Sequence, residues 1–285
     1  MKIKLKKRLQ DEQIPEGSLY VAQDFYEVVN LKSNPNNWSY LYCDSATSCI
    51  VVIVTGCNAN SEPIVAISHL SRPQRFECFL EKVCSEFVGN IHLFAHGANP
   101  PEPGIKDGKN DYTALRNAGI IMNFVLAHSV VQLSEGIEPA QPQIDQVTLL
   151  FGEGNPSDYD SNLDCYGVDV SNPEELIVSN KRLTLQAEDR DPTGGLQSLF
   201  CSYGLDNGMV LLKASEAYCS EISTSLYANK DKLLGSAHSD KYEQYVNMSD
   251  EEILAKCSST PDAEVPWFCD SIRRASQYVI DNYKS

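Results

Sequence analysis

The sequence predicts an α/β or α+β fold, with a β-sandwich-like mixed-sheet core, flanking helices and a helical C-terminal extension. Three observations carry this. Ile50 to Val54 and Ile64 to Ile67 are short apolar runs on either side of the turn-like Thr55 to Pro63. Arg75 to Val88 is amphipathic at helical spacing, and Ala214 to Tyr227, Asp250 to Cys257 and Trp267 to Tyr283 read as helices. The core is expected over residues 17–180 and the helical extension over residues 181–285.

Along the chain, Leu19 to Val29 mixes Tyr, Val and Phe and reads as a strand or a short helix, and Lys32 to Trp38 is an Asn/Pro/Ser loop. Ile50 to Val54 and Ile64 to Ile67 then form a hairpin of buried strands. In the following helix Phe76, Phe79, Leu80, Val83, Cys84 and Phe87 share one face, with Glu77, Glu81, Lys82 and Ser85 outside. Ile91 to Phe94 is a strand ending in the turn Gly97 to Pro101, Asp111 to Leu126 is a second helix, and Val130 to Leu133 and Val147 to Phe151 are further strands. Asp250, Glu251 and Glu252 suit a helical first turn, where they meet the positive end of the backbone dipole.

A formal net charge of −16 and a pI near 4.7 argue against nucleic acid or an anionic membrane surface as partner. The basic Lys2, Lys4, Lys6, Lys7 and Arg8 are expected to be a solvated terminal arm. Leu9 to Gly17 is too polar for a secretory h-region, and the longest apolar runs fall far short of the roughly 18 residues that span a bilayer. The expected location is cytoplasmic, of the producer or of a host cell if a specialised system delivers the chain, and the ten cysteines are expected to be reduced. There is no C-x2-C pair and no HExxH, and the His92/His96 pair spans a strand and its turn, so no metal is expected. Phe151 to Pro156 has G-x-G without a third glycine or a following helix, and Asp158, Asp160 and Asp164 lack the glycine and glutamate of a calcium loop. No cofactor is expected.

A cysteine nucleophile needs a lowered thiol pKa, a base in reach, and donors for the oxyanion that forms when sulfur attacks a carbonyl. Cys49 stands between the polar Asp44 to Ser48 and the strand at Ile50, and His69 just past Ile64 to Ile67. Antiparallel pairing of those strands puts both at one end of the hairpin. Taken singly, Cys49 reads as core and His69 as a loop histidine; the pair at this spacing reads as catalytic. Cys43 and Cys57 flank Cys49, as structural residues or as resolving thiols.

Thr47-Ser48-Cys49-Ile50-Val51-Val52, followed by Ser68-His69-Leu70-Ser71-Arg72-Pro73, resembles the core of bacterial chemoreceptor glutamine deamidases. The same Cys–His arrangement occurs in the deamidating domain of cytotoxic necrotizing factor toxins and in eukaryotic N-terminal asparagine amidohydrolases. Phe94 to Asn99 is similar to the Gly-Gly-Ala turn of the chemoreceptor enzymes and Asn117 to Ile120 to the start of their next helix, so the likeness spans residues 40 to 170. Ala46 and Thr47 stand where those enzymes usually carry glycine. The resemblance implies Cys49 as nucleophile, His69 as base and then acid, and Ser45, Thr47 or a neighbouring carbonyl orienting the imidazole. It implies deamidation of Gln or Asn in a protein substrate through a thioester, in a bacterial effector or toxin. A transglutaminase or peptidase using the same dyad, or a non-catalytic protein-binding module, are the alternatives.

Overall fold

The computed structural model describes residues 2–6, 11–44, 46–99, 103–106, 109–129, 142–152, 165–183, 185–191, 193–203, 211–216, 241–258 and 260–283. The strands are β1 (Lys2–Lys6), β2 (Asp11–Glu12), β3 (Ser18–Tyr20), β4 (Phe25–Asn30), β5 (Tyr40–Cys43), β6 (Ile50–Cys57) and β7 (Pro63–Leu70), then β8 (Val88–Gly97), β9 (Gly104–Lys106), β10 (Lys109–Asp111), β11 (Gln143–Phe151), β12 (Cys165–Asp169), β13 (Glu175–Leu183) and β14 (Leu212–Lys213). Helices α1 (Pro73–Glu86) and α2 (Thr113–Ser129) flank β8, and α3 (Ala187–Arg190), α4 (Leu196–Tyr203), α5 (Lys241–Asn247), α6 (Asp250–Cys257) and α7 (Phe268–Tyr283) follow β13.

Two mixed sheets stack face to face. One runs β1-β13-β12-β5-β3, with β2 also on β13; the other runs β11-β8-β6-β7-β4-β14, and β9 and β10 form a separate hairpin. The expected hairpin is the centre of the second sheet: β6 and β7 pair antiparallel from Ile50 opposite Leu70 to Cys57 opposite Pro63. Val51 and Ile53 of β6 pack toward the first sheet with Val65, Ile67, Leu41 and Val168. Ile50, Val52 and Val54 face the other way, against Phe76, Phe79 and Leu80 of α1 and Ile121 of α2. Cover on both faces is why β6 is continuously apolar and does not alternate.

Helix α1 buries the expected face and also Arg75, which is fully enclosed with Nε 4.0 Å from Asp24 Oδ2. Helix α6 opens on a capping box, where Ser249 Oγ accepts from the Glu252 N–H and the Glu252 carboxylate accepts from the Ser249 N–H. Leu199, Tyr242, Ala275 and Val279, from the chain after β13, join the same cluster as the inter-sheet residues. Ile253, Cys269 and Ile272 tie α6 to α7 in a smaller one.

Several expectations need correction. The basic arm is not a free terminus: β1 lies parallel to β13, Lys2 beside Glu175 through Lys6 beside Ser179. Its alternation, Lys-Ile-Lys-Leu-Lys, has the two-residue period of a strand, which charge counting hides. Leu19 to Val29 is two strands in different sheets, joined at Asp24, whose φ of 65° turns the chain from one sheet to the other. The strand at Ile91 is longer than expected, so His92 and His96 both lie within β8. Val130 to Leu133 and the acidic Asp158, Asp160 and Asp164 lie outside the described residues, as does most of 214–227, whose first three residues form a 3-10 turn. Among the described residues no helix is long and apolar enough to cross a membrane.

Because β1 completes hydrogen bonds along β13, deleting residues 1–6 is expected to lower stability by at least about 1 kcal/mol, the scale of one or two net backbone hydrogen bonds. Urea denaturation of the shortened and full chains measures this, and equal midpoints would return the arm to solvent.

Candidate active site

The register of β6 places the chemistry. Val51 lies opposite His69 of β7 on one side and His96 of β8 on the other. Cys49, two residues before Val51, stands diagonal to His69, a relation in which side chains of neighbouring strands reach one another. Cys49 and His69 line one cavity of about 500 Å³.

The backbone before the thiol is held from three sides. The Cys49 carbonyl accepts from the Ala98 N–H at 2.9 Å and the Thr47 carbonyl from the Asn99 N–H at 2.8 Å. Buried Asn117, on α2, donates from Nδ2 to the Ser48 carbonyl at 2.9 Å and to the Ser71 carbonyl at 3.1 Å, joining the loop before Cys49 to the loop after His69. Gly97, at φ +132°, permits this approach: a Cβ there would lie 2.1 Å from the Cys49 carbonyl oxygen. On the other side, the Asp24 N–H donates to the His69 carbonyl at 2.6 Å, and the Asp24 carboxylate accepts from the Ser71 N–H and hydroxyl.

The His69 ring is buried, with Nδ1 3.7 Å from Asp44 Oδ1, beyond hydrogen-bond range. Burial lowers the imidazole pKa from 6.5 to about 4. Asp44 follows β5 in the opposite sheet. Burial raises its carboxyl from 3.8 to about 6, against the pull of Arg190 and hydrogen bonds from Tyr20 and Trp267. The Arg190 guanidinium lies 4.1 Å over the Trp267 ring. Cys49 is pushed well above the usual thiol range by burial first, then by Asp24, Glu264 and Asp44, with Arg72 opposing. The expected lowering of the thiol pKa is therefore reversed: desolvation and the charges of three carboxylates act in the same direction. His96 stacks on Tyr166 at 3.6 Å between ring centroids, and burial with the neighbouring His69 lowers it to about 3.

Of the two residues expected to orient His69, Ser45 lies outside the described residues. Thr47 lines the cavity and its carbonyl is engaged by Asn99. Asp44 is the side chain against Nδ1, and sequence reasoning missed it because Tyr40 to Cys43 was not recognised as a strand; all four of its residues are buried. Cys57 sits at the far end of β6 from Cys49, and Cys43 is buried in the first sheet. The second described thiol of the cavity is instead Cys257. The C-terminal region also lines the cavity, through residues that include Ser258, Glu264, Trp267 and Ser271. Glu264 Oε1 accepts from the Ser258 and Thr260 hydroxyls. No group of three metal-ligating side chains occurs among the described residues.

Residues 236–285 match the family model of protein N-terminal asparagine amidohydrolases. No curated protein matches the chain. The family match supports the deamidase fold group and points to a hydrolase acting on amides, from a short region. That region lies outside residues 40 to 170, where the sequence resemblance rests. Both stretches contribute walls to one cavity.

Two substitutions test the site as physics. Gly97→Ala must move the Cys49 backbone and adopt a positive φ, so a loss of at least about 2 kcal/mol is expected in chemical denaturation. Asp44 and His69 contribute to stability with opposite signs. The raised pKa of Asp44 gives a contribution present below pH 3.8 and lost as pH rises to about 6. The lowered pKa of His69 gives one present above pH 6.5 and lost as pH falls to about 4. Asp44→Asn removes the first alone, so the variant is expected to be about 2 kcal/mol more stable than the parent at neutral pH, with the gain vanishing near about pH 3.5. Urea midpoints at the two pH values read it directly.

Proposed function

We propose that the protein is a cysteine-dependent amidohydrolase that converts Asn or Gln side chains of a protein substrate to the acid, with an N-terminal Asn the substrate its cavity suits best. The observation that carries this is the convergence of Cys49, His69 and Asp44 on a cavity that the family-matched region also lines.

In this reading the resting pair is neutral, thiol and imidazole, as the shifted pKa values require. His69 takes the thiol proton as sulfur bonds to the amide carbon, then gives it to the departing nitrogen, so ammonia leaves and a thioester remains. Water, losing a proton to His69, attacks the thioester and releases the carboxylic acid, and the proton returns to Cys49. Ionised Asp44, 3.7 Å from Nδ1, stabilises by charge the imidazolium formed twice in the cycle. Thr47 belongs to the stretch that positions the sulfur, its carbonyl held by the Asn99 N–H. The Glu264 carboxyl, which also lines the cavity, suits the free α-ammonium of an N-terminal residue. An internal amide carries no such charge.

A peptide beginning with Asn is expected to release ammonia and gain about 1 Da on incubation with the protein, while the same peptide acetylated at its N-terminus reacts far more slowly. Cys49→Ala should abolish the reaction and His69→Ala should reduce kcat/KM by about 10³-fold, within the usual range for a general base. In the parent, kcat/KM should rise with pH through about 6 as Asp44 ionises, and Asp44→Asn should lose that limb. Mass spectrometry and ammonia detection decide it: an unchanged peptide, or product bonded to an added primary amine, contradicts hydrolysis.

A further inference from the structure

We propose that Trp267, backed by Arg190, is a positioning residue for the Cys49–His69 pair: its indole N–H holds the Asp44 carboxylate beside His69, so the chemistry of the sheets depends on the helical third. This rests on the amidohydrolase reading, and it gives the family-matched region a part in the reaction that the match itself does not assign.

The partners come from distant parts of the chain. Asp44 directly follows β5, Arg190 closes α3, and Trp267 directly precedes α7. An indole has one hydrogen-bonding atom, Nε1, and it can only donate. Trp267 donates it to the buried Asp44 carboxyl, and the Tyr20 hydroxyl of β3 donates to the same group. The Arg190 guanidinium lies 4.1 Å over the indole ring, where a cation draws on the ring's electrons and polarises the N–H toward its acceptor. Asp44 Oδ1 is in turn 3.7 Å from His69 Nδ1. The order is cation, indole, carboxylate, imidazole, and all four groups line the cavity that Cys49 lines.

Local structure fixes where Arg190 and Trp267 stand. The Trp267 carbonyl accepts from the Ser271 N–H at 3.0 Å and the Ser271 hydroxyl at 3.1 Å, so the first turn of α7 holds its backbone. Arg190 Nη1 donates to the Leu185 carbonyl at 3.1 Å, and the Arg190 carbonyl accepts from Gln197 Nε2 of α4 at 2.7 Å. Arg274 of α7 donates to the Asp191 carbonyl at 3.3 Å and lies 3.8 Å from the Glu188 carboxylate, joining α3 to α7. The stacking of Arg190 on Trp267 thus accompanies the docking of two helices.

The consequence falls on Asp44. Acting on it or acted on by it are Tyr20 of β3, the adjacent Cys43 of β5, His69 of β7, Cys49, and Arg190 of α3. Burial keeps Tyr20 and Cys43 protonated and His69 neutral, and burial of Asp44 itself favours the neutral acid. Arg190 and the two donors oppose that, because a nearby cation and a hydrogen bond to a carboxylate both favour its charged form. Without the Trp267 donor Asp44 must ionise at higher pH, and below that pH the imidazolium formed in the reaction lacks its counter-charge.

The test compares the full-length parent with Trp267→Phe, Arg190→Gln and Arg190→Lys. Trp267→Phe keeps a ring beneath the guanidinium and loses the donor. Two quantities are followed against pH: kcat/KM on a peptide beginning with Asn, and the Asp44 carboxyl signal in NMR of isotope-labelled aspartate, assigned with Asp44→Asn, which needs no substrate. Trp267→Phe is expected to move both midpoints up from about 6 by about one pH unit, the scale of one hydrogen bond to a charged group, so that kcat/KM falls about fivefold at about pH 6 and recovers toward the parent above about pH 8. Arg190→Gln should move them in the same direction, and Arg190→Lys should recover most of the change. Should Trp267→Phe fail to fold, Arg190→Gln decides alone. An unmoved carboxyl titration, a moved one with the kcat/KM profile unchanged, or a loss equal at every pH would each overturn the proposal and leave the amidohydrolase reading standing. A moved titration where the parent itself releases no ammonia would overturn that reading, with Asp44 still held by Trp267.

Discussion

One register carries the candidate site. With Val51 between His69 and His96, the face of β6 that looks into the sandwich also looks at the cavity. A slip of one residue would turn His69 toward α1 and its apolar cluster. The continuously apolar β6 cannot set its own register by polarity, so the ends do it. At one end the Asn58 side chain accepts from the Asn60 and Glu62 N–H groups, and Glu62 is held in turn by Asn30 of β4. At the other, Gly97 lets β8 close on the Cys49 carbonyl.

The cost of this arrangement is visible in its acids. Asp24, Asp44 and Glu264 all act on the Cys49 thiol, and the first two are buried. Together with desolvation they keep the sulfur protonated at rest. What the site gains is an imidazole that is neutral and ready to accept a proton, because burial has removed its affinity for one. Asp44 is thereby a group whose burial weakens the fold at neutral pH while setting a carboxyl beside the His69 ring, and in the proposed reaction that is the charge an imidazolium needs.

Much of this was legible in the sequence. The hairpin around Cys49 and His69, the face of α1, and the helices at Asp250 and Trp267 follow from periodicity and capping residues, since local spacing decides them. Asp44 did not follow. It reaches His69 because β5 belongs to the facing sheet, and which strands share a sheet is a long-range fact with no local signature. The thiol's raised pKa has the same origin, arising from carboxylates as far along the chain as Glu264. The arm at Lys2 to Lys6 is a different case. Its alternation was present in the sequence, but five basic side chains near a terminus drew attention to charge rather than period.

The C-terminal part of the cavity lining is carried by helices that join the inter-sheet core through Tyr242, Ala275 and Val279. Such peripheral helices open at lower free energy than central strands. Warming the protein should therefore loosen α5 to α7 while β6, β7 and β8 remain paired, leaving a folded sandwich with an unroofed cleft. Loss of the cavity would then precede loss of the sheet, and proteolytic nicking of the helical third would begin before the strands melt.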